Sequence, residues 1–135
     1  MKTLIFLALV TIASTANASE TSSSDINAHD AYGNTALMVA AAAGDIAQVQ
    51  SLLEKGAQVD ARGRIGNTAL IYAAQEGHVD IVKILVGAGA NIAAQNDYRV
   101  TAGSLAKGYG HRDIAAALDM VTMQAEYAPQ KKNHI

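Results

Sequence analysis

Residues 33–57, GNTALMVAAAAGDIAQVQSLLEKGA, return as residues 66–90, GNTALIYAAQEGHVDIVKILVGAGA. The offset is 33 residues, and 13 of the 29 positions of Gly33–Ala61 are identical in Gly66–Ala94. Chance does not supply that; tandem duplication does. The period continues past both copies, through Gly44, Gly77 and Gly110 and through Leu52, Leu85 and Leu118. A repeat of this length is one supersecondary unit, which cannot bury its apolar face alone and must stack on its neighbours.

Within each unit the residues spell two short helices and a turn. Thr35, Thr68 and Thr101 are placed to cap the N-terminus of an Ala-rich run, because a threonine hydroxyl can accept a bare backbone N–H of the first turn. Gly44, Gly77 and Gly110 follow those runs, where a left-handed residue ends a helix most easily. Ile46, Val49, Leu52 and Leu53 then recur at helical spacing, as do Val79, Ile81, Val82, Ile84, Leu85 and Val86. Gly56 and Gly89 close these second helices, and Gln58–Ile65 and Asn91–Val100 are extended turns between units. The fold class that results is all-α: a helix–turn–helix solenoid of about three 33-residue repeats. The third unit is degenerate and caps the C-terminal end. Gly103 stands there in the register of Leu37 and Leu70, and Gly108 falls in its first helix. An interior glycine costs about 1 kcal/mol relative to alanine. The longer helix His111–Glu126 is expected to cover the end of the stack with Leu118 and Met120 or Val121.

The front of the chain reads differently. Met1-Lys2, the apolar run Leu4–Ala13 (LIFLALVTIA) and Ala16-Asn17-Ala18 have the layout of a secretory signal cleaved after Ala18. The run is too short to span a bilayer, which takes roughly 20 apolar residues. The domain organisation expected is therefore a signal peptide at 1–18, a flexible lead-in at 19–29 and a repeat domain at 30–127. The repeats fall at about 30–62, 63–95 and 96–127, and a polar tail follows at 128–135. A periplasmic or secreted location follows, with no membrane anchor after cleavage, and the expected product is a soluble monomer. Composition excludes other classes. The chain has 135 residues, 50% of them hydrophobic, and carries 10 Lys+Arg against 12 Asp+Glu with no basic block. Nucleic acid is thus not an expected partner, since phosphate binding needs clustered cations. With no cysteine, disulfides, thiolate metal sites and cysteine nucleophiles are ruled out.

The unit pattern D-x-x-G-x-T-x-L-x-x-A-A-x-x-G, then V-x-x-L-L and G-A-x-V/I-x-A, stands here from Asp30-Ala31-Tyr32-Gly33-Asn34-Thr35-Ala36-Leu37 to Val59-Asp60-Ala61. In it the chain resembles the ankyrin-repeat family, from about Ile26 to Met120. Ile26-Asn27-Ala28-His29-Asp30 looks like the lead-in from an absent preceding unit. Two family features are missing. The usual Pro after the capping Thr is Ala36, Ala69 and Ala102, and the usual His two positions on is Met38, Ile71 and Ser104.

Reactive constellations are absent from the sequence: there is no H-E-x-x-H, no phosphate-cradling G-x-x-x-x-G-K-[ST] and no G-x-S-x-G. His78 and His111 share one repeat position, a full unit apart, which disfavours a shared metal. No catalytic residue, cofactor or metal site is assigned, and an enzyme is not expected. The resemblance implies instead a protein-binding surface made of turn tips and the exposed side of the first helices. Carried over position by position, it comprises Tyr32, Arg64, Ile65, Gln75, Glu76, Asp97, Tyr98 and Tyr109. Tyr and Arg recur among the residues that dominate interface energetics, and an apical Ile has little reason to be exposed without a partner. Tyr72 sits at an apolar repeat position and is assigned to the core. The role implied is an adaptor or protective partner in the cell envelope; exported bacterial proteins resembling this one are linked to oxidative-stress defence. The alternative is a dedicated inhibitor, such as an immunity protein that neutralises an envelope-targeted toxin.

Overall fold

The computed structural model describes residues 26–133; the signal segment 1–18, residues 19–25 of the lead-in and residues 134–135 lie outside the described residues. Within them are six α-helices and no strand: α1 Ala36–Ala43, α2 Ile46–Glu54, α3 Ala69–Glu76, α4 Val79–Gly87, α5 Ala102–Gly108 and α6 Arg112–Asn133. They form three successive helix pairs, the helical solenoid that the period implies.

Each first helix starts in the same way. Thr35, Thr68 and Thr101 stand in extended backbone, and their hydroxyls accept the N–H of Met38, Ile71 and Ser104. Each thereby answers one donor that a helix start leaves unpaired. The family's histidine is replaced in the outer units by weaker groups. Met38 Sδ accepts the Thr35 N–H at 3.4 Å, and the Ser104 and Thr101 hydroxyls pair at 3.0 Å. Ile71 has no polar atom to offer, so α3 keeps the threonine cap alone.

Gly44 and Gly77 end α1 and α3 with φ of +81° and +82°. Backbone conformation is only half of the reason for glycine here. A Cβ on Gly44 would lie 2.8 Å from His78 Cε1, and one on Gly77 would lie 2.6 Å from His111 Cε1. Those imidazoles lie over the end of the preceding first helix, with Nε2 3.1 Å from the Ala42 and Gln75 carbonyl oxygens. The repeated histidine is therefore a clasp between units.

Other clasps recur at the same offset. Asn27 Oδ1 accepts the Gln58 N–H and Asp60 Oδ1 the Asn91 N–H, both at 2.8 Å. His29 Nε2 lies 2.9 Å from the Arg62 carbonyl oxygen, and the Arg62 guanidinium donates to the carbonyl of Gln95.

Small residues let the first helices approach closely. Ala40, Ala41, Ala73, Ala74 and Ala106 are buried, and α1, α3 and α5 pack side by side along their lengths. The second helices meet one another only lightly. Their core residues, Val49, Leu52, Ile81, Val82, Leu85, Ile114, Ala115 and Leu118, instead turn inward against the first layer. The first helices thus form the tightly packed layer of the stack and the second helices the looser one. Leu118 is buried, whereas Met120 and Met123 are exposed; of the residues expected to close the C-terminal end, Met120 does not. Helix α6 runs on to Asn133, through part of the stretch that the sequence reads as a tail.

The third unit keeps this plan but lacks one core side chain. Leu37 and Leu70 are each 1% exposed, but a Cβ at Gly103, in their register, would touch nothing within 4 Å. Gly108 is the last residue of α5, not an interior one, and its Cβ site is also open. Neither has positive φ. Gly103→Ala with Gly108→Ala should therefore raise stability by about 1 kcal/mol, by restricting the unfolded chain and favouring the helix. Urea denaturation checks this, and a lower midpoint would contradict it.

Candidate functional site

The turns that join the units are held by one device used twice. Asp30 Oδ1 accepts the N–H groups of Tyr32 and Asn34, both at 2.9 Å. Asn96 Oδ1 does the same for Tyr98 and Val100, at 2.9 and 3.0 Å. Gly63 takes this place in the middle unit, because a side chain would meet Met38 Sδ at 3.1 Å and Asn34 Oδ1 at 3.3 Å. The turns are also tied to each other: the Asp97 N–H donates to the Ile65 carbonyl at 3.0 Å. A short Asx-type side chain bonding its own turn is a rigid way to hold an apex.

What the turns hold up is apolar. Positions 32, 65 and 98 are Tyr, Ile and Tyr, and their exposures are 75%, 38% and 70%. They form a ridge with one side chain per unit. Arg64 and Asp97 flank it, both exposed. Each packs on the turn of the unit before it: a Cβ on Gly33 would lie 2.7 Å from Arg64 Cβ, and one on Gly66 would lie 2.7 Å from Asp97 Oδ1.

The remaining candidates lie at the ends of the first helices. Glu76 is exposed and Gln75 half-buried, with Gln75 Nε2 donating to Glu76 Oε1 at 3.1 Å. Tyr109 caps α5 and is exposed. Glu76 also lines a groove of about 450 Å³ between α1 and α3, with Val39, Ala42, Ala43 and Tyr72. The eight residues thus fall into two groups, an apex row of five and a helix-end group of three.

Not every tip residue faces outward. Asn67 is buried, and its Oδ1 accepts the Asn96 Nδ2–H at 2.9 Å. Asn34 is half-buried and accepts the Tyr72 hydroxyl at 3.0 Å. Tyr72 packs against the core, as expected, and its hydroxyl spends its bond on the neighbouring unit. Arg62, although exposed, is engaged with Gln95.

One apex residue is not in the sequence-derived set. Arg99 has φ of +60° and is the only non-glycine residue with positive φ among the described residues. It stands in the register of Gly33 and Gly66, whose φ values are +81° and +75°. Arginine in left-handed backbone carries a conformational cost that glycine does not. The signal was present in the 33-residue alignment, as an arginine where both other copies have glycine.

Among the described residues no three His, Asp or Glu side chains gather to hold a metal ion, and no helix is long and apolar enough to cross a membrane. A family model for ankyrin repeats in three copies matches residues 6–96 of the chain. No curated protein matches it.

Proposed function

Because the chain belongs to the ankyrin-repeat family, a family of protein–protein interaction modules, we propose that it works by binding another protein through the apex row and the adjoining ends of the first helices. The observation that carries this reading is the ridge Tyr32–Ile65–Tyr98. An apolar or aromatic side chain stands exposed at one position in all three units, on turns braced by side-chain and backbone hydrogen bonds. Exposed apolar groups that form a contiguous row mark binding surfaces more than scattered ones do. Rigid aromatic anchors also lose little side-chain entropy when a partner covers them. Gln75, Glu76 and Tyr109 extend the surface toward the inner side of the stack.

The setting we propose is the cell envelope. The N-terminal stretch directs export and is cut after Ala18, so that the working protein begins at Ser19, and its role is that of an adaptor or protective partner, not an enzyme. The intact mass of protein recovered from the periplasm checks the cut directly; a mass that retains residues 1–18 would refute it.

For the surface, a pull-down from an envelope extract compares the tagged chain with its Ile65→Ala/Tyr98→Ala variant. The wild-type chain should retain one stoichiometric partner. The variant should bind it at least about tenfold more weakly, as loss of an anchor pair does, with no change in melting temperature. Equal binding would move the site off the apexes. Capture of a toxin would replace the adaptor role by that of an inhibitor while leaving the surface as assigned.

A further inference from the structure

A helical stack exposes two ends, and the N-terminal end here has an unusual pattern of burial. Ala69 and Ala102 are each 1% exposed, because the preceding first helix covers them. Their counterpart in the first unit, Ala36, is exposed, and Val39, in the register of the half-buried Tyr72, is 49% exposed. Ala36, Val39, Ala40 and Ala43 line one open groove of about 500 Å³. The polar half of that groove is formed by Asp45 and Gln48, at the start of α2. Gln48 is exposed where its counterparts Ile81 and Ile114 are fully buried. The end of the stack is thus apolar over α1 and polar over α2, which suits one covering helix and not a full helix pair.

The chain outside the described residues supplies a segment of that character. It joins the fold at Ile26, and Ala28, His29 and Asp30 form the rim of the groove. In the 33-residue register Leu4 aligns with Leu37 and Leu70, and Ala8 aligns with Ala41 and Ala74. Leu4–Val10 of the apolar run fall on first-helix positions and Thr11–Ala13 on the turn and the start of the second helix, whereas Ser14–Glu20, on the second-helix positions that follow, is mainly small and polar. Ten residues of helix are about 15 Å long, enough to lie along α1. Residues 14–25 can span about 40 Å when extended, against the 8–10 Å between packed helix axes. The match to the family model begins at residue 6, inside this run.

We propose that in the uncut chain the run Leu4–Ala13 docks on the α1 face formed by Ala36, Val39, Ala40 and Ala43, in the place of a preceding unit's first helix. The segment then has two uses, as a temporary cover before cleavage and as an address. Its removal uncovers the end of the stack. The inference concerns the uncut chain and does not depend on where that chain is delivered.

Because the chain has no cysteine, a single introduced thiol reports on this face. Val39→Cys is made in the full chain, alone and together with Leu4→Lys/Leu7→Lys, and its rate of reaction with a small maleimide is measured. Docking predicts that Cys at 39 reacts about tenfold or more slowly in the chain with the intact run, as expected for a site that reacts only when it opens. The slowing should not depend on protein concentration. Equal rates in the two chains would overturn the proposal. So would protection that fades on dilution, which would make a second copy the cover. Met120→Cys, at the opposite end, should react alike in both backgrounds. If it accelerates in step with Cys at 39, the lysines have unfolded the chain and the docking inference fails.

Discussion

Replacing Gly77 by alanine should destabilise the fold by about 2–3 kcal/mol, from two separable causes. The first is backbone: at φ +82° an alanine is held in left-handed conformation, which costs about 1–2 kcal/mol. The second is the neighbour. The new Cβ would lie 2.6 Å from His111 Cε1, so the ring must move and give up its contact with the Gln75 carbonyl, worth about 0.5–1.5 kcal/mol. Gly110→Ala is the control that separates them. Its φ is +86°, yet a Cβ there meets nothing within 4 Å, so only the backbone cost of about 1–2 kcal/mol applies. The difference between the two variants, measured by urea denaturation, is the value of the clasp. Adding His111→Ala to Gly77→Ala should recover the steric part, with a coupling of about 1 kcal/mol. Equal losses at Gly77 and Gly110 would show that the histidine holds nothing.

Leu70→Ala should cost more, about 3–4 kcal/mol, within the range for a fully buried leucine. Leu70 is 1% exposed on α3, which among the described residues is the one first helix with a packed first helix on each side. A cavity there weakens both interfaces of the middle unit, through which the described units hold one another. Domains of this size are held by about 5–15 kcal/mol in all, so the variant should lose about a fifth or more of its stability. Urea denaturation should show a lower midpoint, and a shallower slope would mean that the units no longer unfold together. A loss below about 1 kcal/mol would show that the site collapses around the smaller side chain.

The period made most of this fold legible. Thr35, Thr68 and Thr101 cap where their hydroxyls predicted, and Gly44 and Gly77 end helices where left-handed backbone was wanted. Those are local signals, set by a residue and its next few neighbours. What the period could not display is whatever breaks it. A repeat pattern is translational, so it treats every unit as interior. Val39 and Ala36 are exposed because no first helix precedes them among the described residues, and at Gly103 a Cβ would meet nothing within 4 Å. The clasps were hidden for another reason. His29, Arg62 and Gln95 share one register, and what joins them is a backbone carbonyl one unit away, which no side-chain pattern records. Asn34 and Asn67 follow the apex glycines, but their amides satisfy neighbours in the adjacent unit. The apex row was named from the family resemblance alone, and the structure shows its side chains exposed.

The clasps have a consequence for how the molecule yields to force. Among the described residues, each side-chain bond between units joins residues 29 to 38 positions apart, and none bridges the first unit to the third. The stack resembles a row of snap fasteners more than a knot. A pull on both ends would not load the clasps together; it would peel them in turn. The third unit would open first, since α5 is short and glycine-bearing and the ion pair of Lys107 with Asp119 on α6 is exposed. Each peeled unit would release about 33 residues of slack while leaving the remainder folded.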